Sequence, residues 1–220
     1  MQKDGMDSFE EQPSIIVIGP QYTRVNIQVA TRLKAIRVDF KPGGLHRLVG
    51  IPMSELFDRG IPADLIFGNS IKDLNGRLLN STDLVESFNL IQNFLLSKMS
   101  INDGPVRFEF AIQKLINADG NLPIEKVADL ACMSIRQFER LCQVRIGMSP
   151  KSFARIIRFS KAYRIRESHP DLSWISIAHH AGYFDQMHLI RDFKQFTGTT
   201  PSFIDQTLRD TPLRMQAKIL

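Results

Sequence analysis

The sequence predicts an α+β protein, a small N-terminal α/β region followed by an all-α part in which two like helical units are joined by a long helix. Three observations carry this. Apolar and polar residues alternate over the first 40 positions, the period of half-buried strands. From Ser70 onward apolar residues recur at steps of three and four, the helical period. Finally, two stretches 51 positions apart carry the same landmarks. Ser134 is followed by Phe138, Gly147 and Pro150, and Asp185 by Leu189, Gly198 and Pro201 at identical spacings.

Taken in order, 15–19 is a short apolar run, Val25, Ile27 and Val29 alternate with Asn26 and Gln28, and Ile36, Val38 and Phe40 alternate with Arg37 and Asp39. Lys41-Pro42-Gly43-Gly44 breaks this pattern as a turn, and Pro52-Met53-Ser54 opens a short helical segment ending near Gly60. Leu84, Phe88, Ile91, Leu95 and Met99 form one apolar stripe, flanked by Leu90, Phe94 and Leu96. Its favoured role is packing on the small strand layer; self-association through 82–100 into a homodimer uses the same stripe and stays open. Asn102-Asp103-Gly104-Pro105 contains turn formers only and is the predicted linker. The predicted organisation is an N-terminal regulatory or oligomerisation domain over 1–103, an all-α domain over 104–205 and a tail over 206–220.

Helix caps sharpen the second half. Ser134 is an N-cap with Gln137 three residues on, a capping box, and Met133 with Phe138 makes its hydrophobic staple. Asp185 caps the corresponding later helix, with Phe184 and Leu189 as the expected staple. Ser149 precedes Pro150, and Ser173 precedes another helical run. Gly147 and Gly198 are natural terminators. Upstream, Ala128 and Ala131 match Ala178 and Ala181 at an offset of 50, so the second unit has one extra residue in its turn. Each unit is therefore a helix, a turn and a second helix (124–131 then 134–146; 174–181 then 185–197). Small Ala128 and Ala178 sit where steeply crossing helices approach, the pattern of a helix-turn-helix.

Charge points to the partner. Residues 1–103 hold 11 basic and 12 acidic side chains, whereas 122–204 hold 12 and 7. The excess is densest in 134–166, where nine Lys or Arg face one acid, Glu139, on an amphipathic framework. A folded basic surface of this kind meets a polyanion, and with helix-turn-helix units the predicted partner is double-stranded DNA. The connector over 149–167 would be about 28 Å long at 1.5 Å per residue. Successive major-groove segments on one face lie about 34 Å apart, so one chain can span two of them.

Residues from about 107 to 205 resemble the DNA-binding domain of the AraC/XylS family of bacterial transcription regulators. The resemblance rests on Ile177-Ala178, Ala181-Gly182-Tyr183, Leu189, Phe193-Lys194, Gly198 and Thr200-Pro201-Ser202-Phe203. It implies a cytoplasmic regulator, most often an activator, with an N-terminal effector or oligomerisation domain; RNA polymerase is a further candidate partner. The first domain does not resemble the family's arabinose-sensing barrel. Its run Val38-Asp39-Phe40-Lys41-Pro42-Gly43-Gly44, followed by Pro52-Met53-Ser54-Glu55-Leu56, resembles a small uncharacterised domain found before this DNA-binding domain in some family members. It is expected to be shortened here, leaving any effector ligand unidentified.

On the first reading helix the exposed positions are Arg136, Gln137, Glu139 and Arg140; by resemblance Arg136, Glu139 and Arg140 contact bases. Arg can hold guanine O6 and N7 bidentately, and Glu can accept from cytosine N4. A local ion pair with a neighbouring Arg is the competing role for Glu139. On the second helix Gln186, Met187, His188 and Arg191 take the comparable face, Gln186 for adenine and Met187 for a thymine methyl. Asp192 beside Arg191 is a competing partner for it. Arg145, Lys151, Arg155 and Lys194 are predicted to contact phosphates, as are most remaining cations of 134–166.

Other chemistries find little support. His179-His180 and His188 lack an acid or thiol in ligand register, so no metal or cofactor is expected. Cys132 and Cys142 read as reduced helix residues rather than a disulfide framework. No nucleophile-base motif or GxGxxG is present, which argues against an enzyme. The polar, acidic start is unlike a secretory leader, and no apolar run is long enough to cross a bilayer. The non-enzymatic alternative is an anti-activator working through its N-terminal domain.

Overall fold

The computed structural model describes residues 2–3, 10–23, 25–26, 28, 35–99 and 106–203. Among the described residues, four short strands form two antiparallel ladders. β1 (Gln2–Lys3) pairs with β3 (Val25–Asn26), and β2 (Ile16–Ile18) pairs with β4 (Gly60–Pro62), setting Val17 opposite Ile61. A six-residue helix, α1 (Gly44–Val49), follows the glycine pair, and a single 3-10 turn spans Met53–Leu56. Helices α2 (Asp64–Phe67), α3 (Asn69–Asn80) and α4 (Leu84–Lys98) complete the first half. Among the described residues, no helix is long and apolar enough to cross a membrane.

Two expectations need correction here. Ile36, Val38 and Phe40 lie in an extended but unpaired segment and are exposed, because no neighbouring strand supplies a ladder among the described residues. An ion pair between Arg37 and Asp39, at 3.0 Å, is the local contact there. The stripe of α4 is also turned differently. Leu90 is buried and Phe94 packs beside it on Ala63, Ile71 and Leu74, whereas Leu84, Phe88 and Met99 are exposed. The three-residue strands and α3 offer a surface wide enough for one face of α4, which takes Leu90 and Phe94 from the predicted flank and leaves its third member, Leu96, exposed. Positions Ile27 and Val29, the 102–105 linker and the 206–220 tail lie outside the described residues.

The second half is helical throughout, with α5 (Val106–Asn117), α6 (Ile124–Leu130), α7 (Ile135–Arg145), α8 (Pro150–Ser168), α9 (Trp174–Ala181) and α10 (Gln186–Thr197). It contains two cores. The first gathers Phe108, Leu115, Val127, Phe138 and Cys142 from α5 to α7 and closes on Phe153, Ala154 and Ile157 of α8. The second gathers Trp174, Ile177, Leu189 and Phe193 from α9 and α10 and closes on Phe159 and Ala162, one turn further along α8. One helix thus supplies a wall to each core, which fixes the two units relative to each other. Tyr22 and Phe57 from the N-terminal half also pack on the first core.

Candidate nucleic-acid interface

The two helix pairs are built alike. In the first, the Cys132 amide donates to the Asp129 carbonyl and the Met133 amide to Ala128. In the second, the Gly182 amide donates to His179 and the Tyr183 amide to Ala178. Both turns pass through a left-handed residue, Cys132 at φ 55° and Gly182 at φ 82°. Glycine is required at the second site twice over: a Cβ there would be strained by its φ and would collide with the Asn121 side chain. Ala128 and Ala178 are buried at the close approach.

The caps form as the chemistry predicts. Ser134 and Gln137 make a full capping box, and Ser149, Ser173 and Asp185 each accept a backbone N–H of the first turn. Asp185 accepts from the His188 amide at 2.8 Å and lies 2.9 Å from His188 Nδ1. The hydrogen bond from the His188 amide, aided by that from its ring, holds the carboxyl below the usual range against the opposing effect of desolvation. The α8 helix runs 19 residues behind its Ser149 cap.

On α7, Arg136, Glu139 and Arg140 are exposed together with Gln137, while Phe138 and Cys142 turn inward. Among the described residues Glu139 forms no ion pair. Burial, assisted by the charge of Glu139, pushes the Cys142 thiol up to about 12. On α10, Met187, His188, Arg191 and Lys194 are exposed and Gln186 is half-buried. Lys151 is exposed at the start of α8. Asp192 does not engage Arg191; it points into the protein instead.

Two predicted phosphate contacts are committed elsewhere, a correction to the sequence reading. Arg145 is only 8% exposed. Its Nη1 donates to Glu109 at 3.1 Å, and its guanidinium lies over the Phe108 ring. Burial lowers its pKa, the charge of Glu109 opposes this and Arg47 adds to the lowering. Arg155 donates from Nε and Nη2 to Asp192 at 3.0 and 2.6 Å and from Nη1 to the Tyr22 hydroxyl at 2.8 Å. Partial burial works against its charge, but the hydrogen bond and charge of Asp192 raise its pKa overall. Arg145 lies on an inward face, where an unpaired cation would be costly, and Arg155, partly exposed, is held by Asp192 and Tyr22.

Other cations of α8 follow suit. Arg158 donates to the Gly120 carbonyl at 2.7 Å, Lys161 pairs with Asp119 at 2.8 Å and Arg166 donates to the Leu172 carbonyl at 2.8 Å. These contacts tie α8 to the loops that flank it. The basic run that suggests a polyanion partner is therefore in good part a set of internal struts.

Sequence reasoning misses two participants. Tyr22 is one: its ring packs edge-on against Phe196 of α10 and its hydroxyl meets Arg155. A contact spanning 133 positions leaves no local trace in a sequence. The other is Phe184, which does not staple onto Leu189. Tyr183 occupies the buried site, its hydroxyl donating to Asp192 at 3.1 Å, and Phe184 is 93% exposed. The extra residue in the second turn is the signal that could have found it.

Residues 127–206 match the family described as Helix-turn-helix domain, and residues 2–62 match a Domain of unknown function (DUF6597). An arabinose operon regulatory protein of Escherichia coli K12 is 29% identical over 145 residues, covering 59% of this chain and 49% of that one. The C-terminal part of the chain is thus similar to a helix-turn-helix domain and to an arabinose regulator, in line with its resemblance to the AraC/XylS family. An uncharacterized HTH-type transcriptional regulator of Haemophilus influenzae is 36% identical over 80 residues, 36% of this chain and 26% of the relative. The chain thus spans about half or less of the length of these curated relatives. Among solved structures, the DNA-binding domain of AdpA in complex with a target DNA aligns at a TM-score of 0.45 and 22% identity, over 47% of this chain and 94% of that one. An AraC-type regulator from Chromobacterium violaceum aligns at 0.44 and 19%, over 49% and 95%.

Proposed function

We propose that this chain is a sequence-specific DNA-binding transcription regulator that reads two successive major-groove segments with α7 and α10. The observation that carries this reading is the pair of capped helix-turn-helix units fixed to one 19-residue helix, with Arg136, Glu139 and Arg140 at one exposed start and Gln186, Met187, His188 and Arg191 at the other. Helices of this kind enter the groove N-terminus first, so these residues are the ones that meet base edges. Lys151 and Lys194, exposed beside them, supply phosphate contacts that set register.

In finer detail the chain acts as an activator in contact with RNA polymerase, with residues 1–103 as the regulatory part and 104–205 as the DNA-reading part. Selection from random-sequence duplexes at moderate salt tests the core of the proposal. Enrichment of a bipartite site, its halves about one helical turn apart, is the expected result. Recovery of unselected sequence would leave the anti-activator reading in its place.

The exposed face of α4 favours a second property, a homodimer through 82–100. Leu84, Val85, Phe88, Leu96 and Met99 present apolar surface to solvent. Sedimentation of the full chain and of Phe88→Glu is the check: a dimer that the substitution dissociates supports the interface, and an unchanged monomer rejects it.

A further inference from the structure

Phe184 is an inserted residue. The backbone bonds equate Cys132 with Gly182 and Met133 with Tyr183, after which the first unit proceeds directly to its cap, Ser134. The second unit places Phe184 before its cap, Asp185. Met133 is partly buried against the first core and Tyr183 is buried in the second, so the packing role of this turn is filled in both. Phe184 packs on neither core. Among the described residues its ring contact is with His188, the planes nearly perpendicular and the centroids 6.2 Å apart. A single exposed apolar residue is ordinary on a protein surface. This one stands at the entering end of a reading helix, one turn from Met187, which is 58% exposed. The nearest acid, Asp185, is occupied by the His188 amide and ring. Arg191 and Lys194 lie further along the same helix and are exposed.

We propose that Phe184, together with Met187, forms an apolar tip that reads the 5-methyl group of thymine in the second half of the DNA site. The thymine methyl is the one apolar feature of the major-groove code, and aromatic or aliphatic side chains are its partners. The inference rests on the DNA-reading function proposed above and adds a residue that specifies sequence without hydrogen bonding.

The test uses the full chain and the duplex it selects, with each thymine of the second half-site replaced in turn by deoxyuracil, which lacks only the methyl. Wild type should lose about fourfold in affinity at one position, the worth of one buried methyl group. Phe184→Ala should bind the thymine duplex correspondingly more weakly and show no further loss with uracil at that position. Because the side chain is exposed, its thermal unfolding should match that of wild type, which separates the effect from misfolding. Equal affinity of Phe184→Ala and wild type, insensitivity of wild type to every thymine replacement, or losses that simply add would each overturn the assignment. If wild type enriches no sequence, the DNA-reading proposal falls and this one with it. If it enriches a site that Phe184→Ala reads unchanged, only the Phe184 assignment falls.

Discussion

Among single residues, exposure separates cations that can meet DNA from cations that hold the protein together. Arg136→Ala is expected to cost about 1–3 kcal/mol on the selected duplex and to relax preference at one base position. Lys151→Ala should weaken specific and random duplexes alike and reduce the salt slope by about one. Competition binding over a salt series checks both; equal losses of Arg136→Ala on specific and random DNA would reassign it to the backbone. Cys132 offers a second case. It holds a left-handed conformation at φ 55° where the second unit uses Gly182. Cys132→Gly should therefore stabilise the chain by about 0.5–1 kcal/mol in urea unfolding, relief of strain outweighing the added freedom of the unfolded chain. The two free thiols differ too. Cys132 is exposed, whereas Cys142 is buried with its pKa pushed up to about 12, so iodoacetamide at pH 8 should add one group per folded chain.

For the helices, caps decide where reading begins. The Asp185 carboxylate closes the first turn of α10 through backbone N–H groups, and its pKa lies below the ordinary 3.8. A depressed folded value means that this stabilisation is present above the ordinary carboxyl range and is lost as pH falls through the folded value. The His188 amide should thus lose exchange protection on acidification below about 3.8 while the Ser152 amide at the Ser149-capped start of α8 keeps its own. Asp185→Asn, which caps without a titrating group, should remove the pH dependence. If both helix starts open together, the carboxylate is not the cause. The connector α8 shows the other element-scale rule. Its apolar residues Phe153, Ile157, Phe159 and Ala162 face two cores, and its basic residues reach the loops beside them.

Across the whole molecule, the N-terminal half is packed against the helical half. Tyr22 bridges Phe57 and Phe196 and joins the Arg155–Asp192–Tyr183 cluster. The end of α7 is equally confined, since a Cβ on Gly147 would lie 2.7 Å from both the Met53 carbonyl oxygen and the Pro20 ring. Asp192 is 5% exposed and serves Arg155 and Tyr183 at once. Asp192→Ala should destabilise by about 1.5–3 kcal/mol, because it removes the carboxylate that serves a partly exposed guanidinium and a buried hydroxyl. Tyr22→Phe removes one hydrogen bond and should cost about 1 kcal/mol. Chemical denaturation measures both; a neutral Tyr22→Phe would mean that the hydroxyl contributes nothing to holding the halves together.

The sequence by itself determined the helix boundaries of the second half, the repeat and the two capped helices α7 and α10. Caps, staples and left-handed terminators act within one or two turns, and Ser134, Ser149, Ser173 and Asp185 write them into neighbouring positions. Apolar spacing likewise separated Phe138 and Leu189, which are buried, from their exposed neighbours Glu139 and His188. Tertiary structure alone decided the fate of each charge and of each ambiguous apolar face. A periodic pattern does not reveal whether Arg155 meets phosphate or Asp192, 37 positions away. Nor does it reveal which side of α4 a narrow strand layer will cover, or that Tyr183 will fill the site that would have hidden Phe184. Those outcomes depend on distant groups brought within a few ångströms, where burial makes pairing obligatory and limited surface forces a choice.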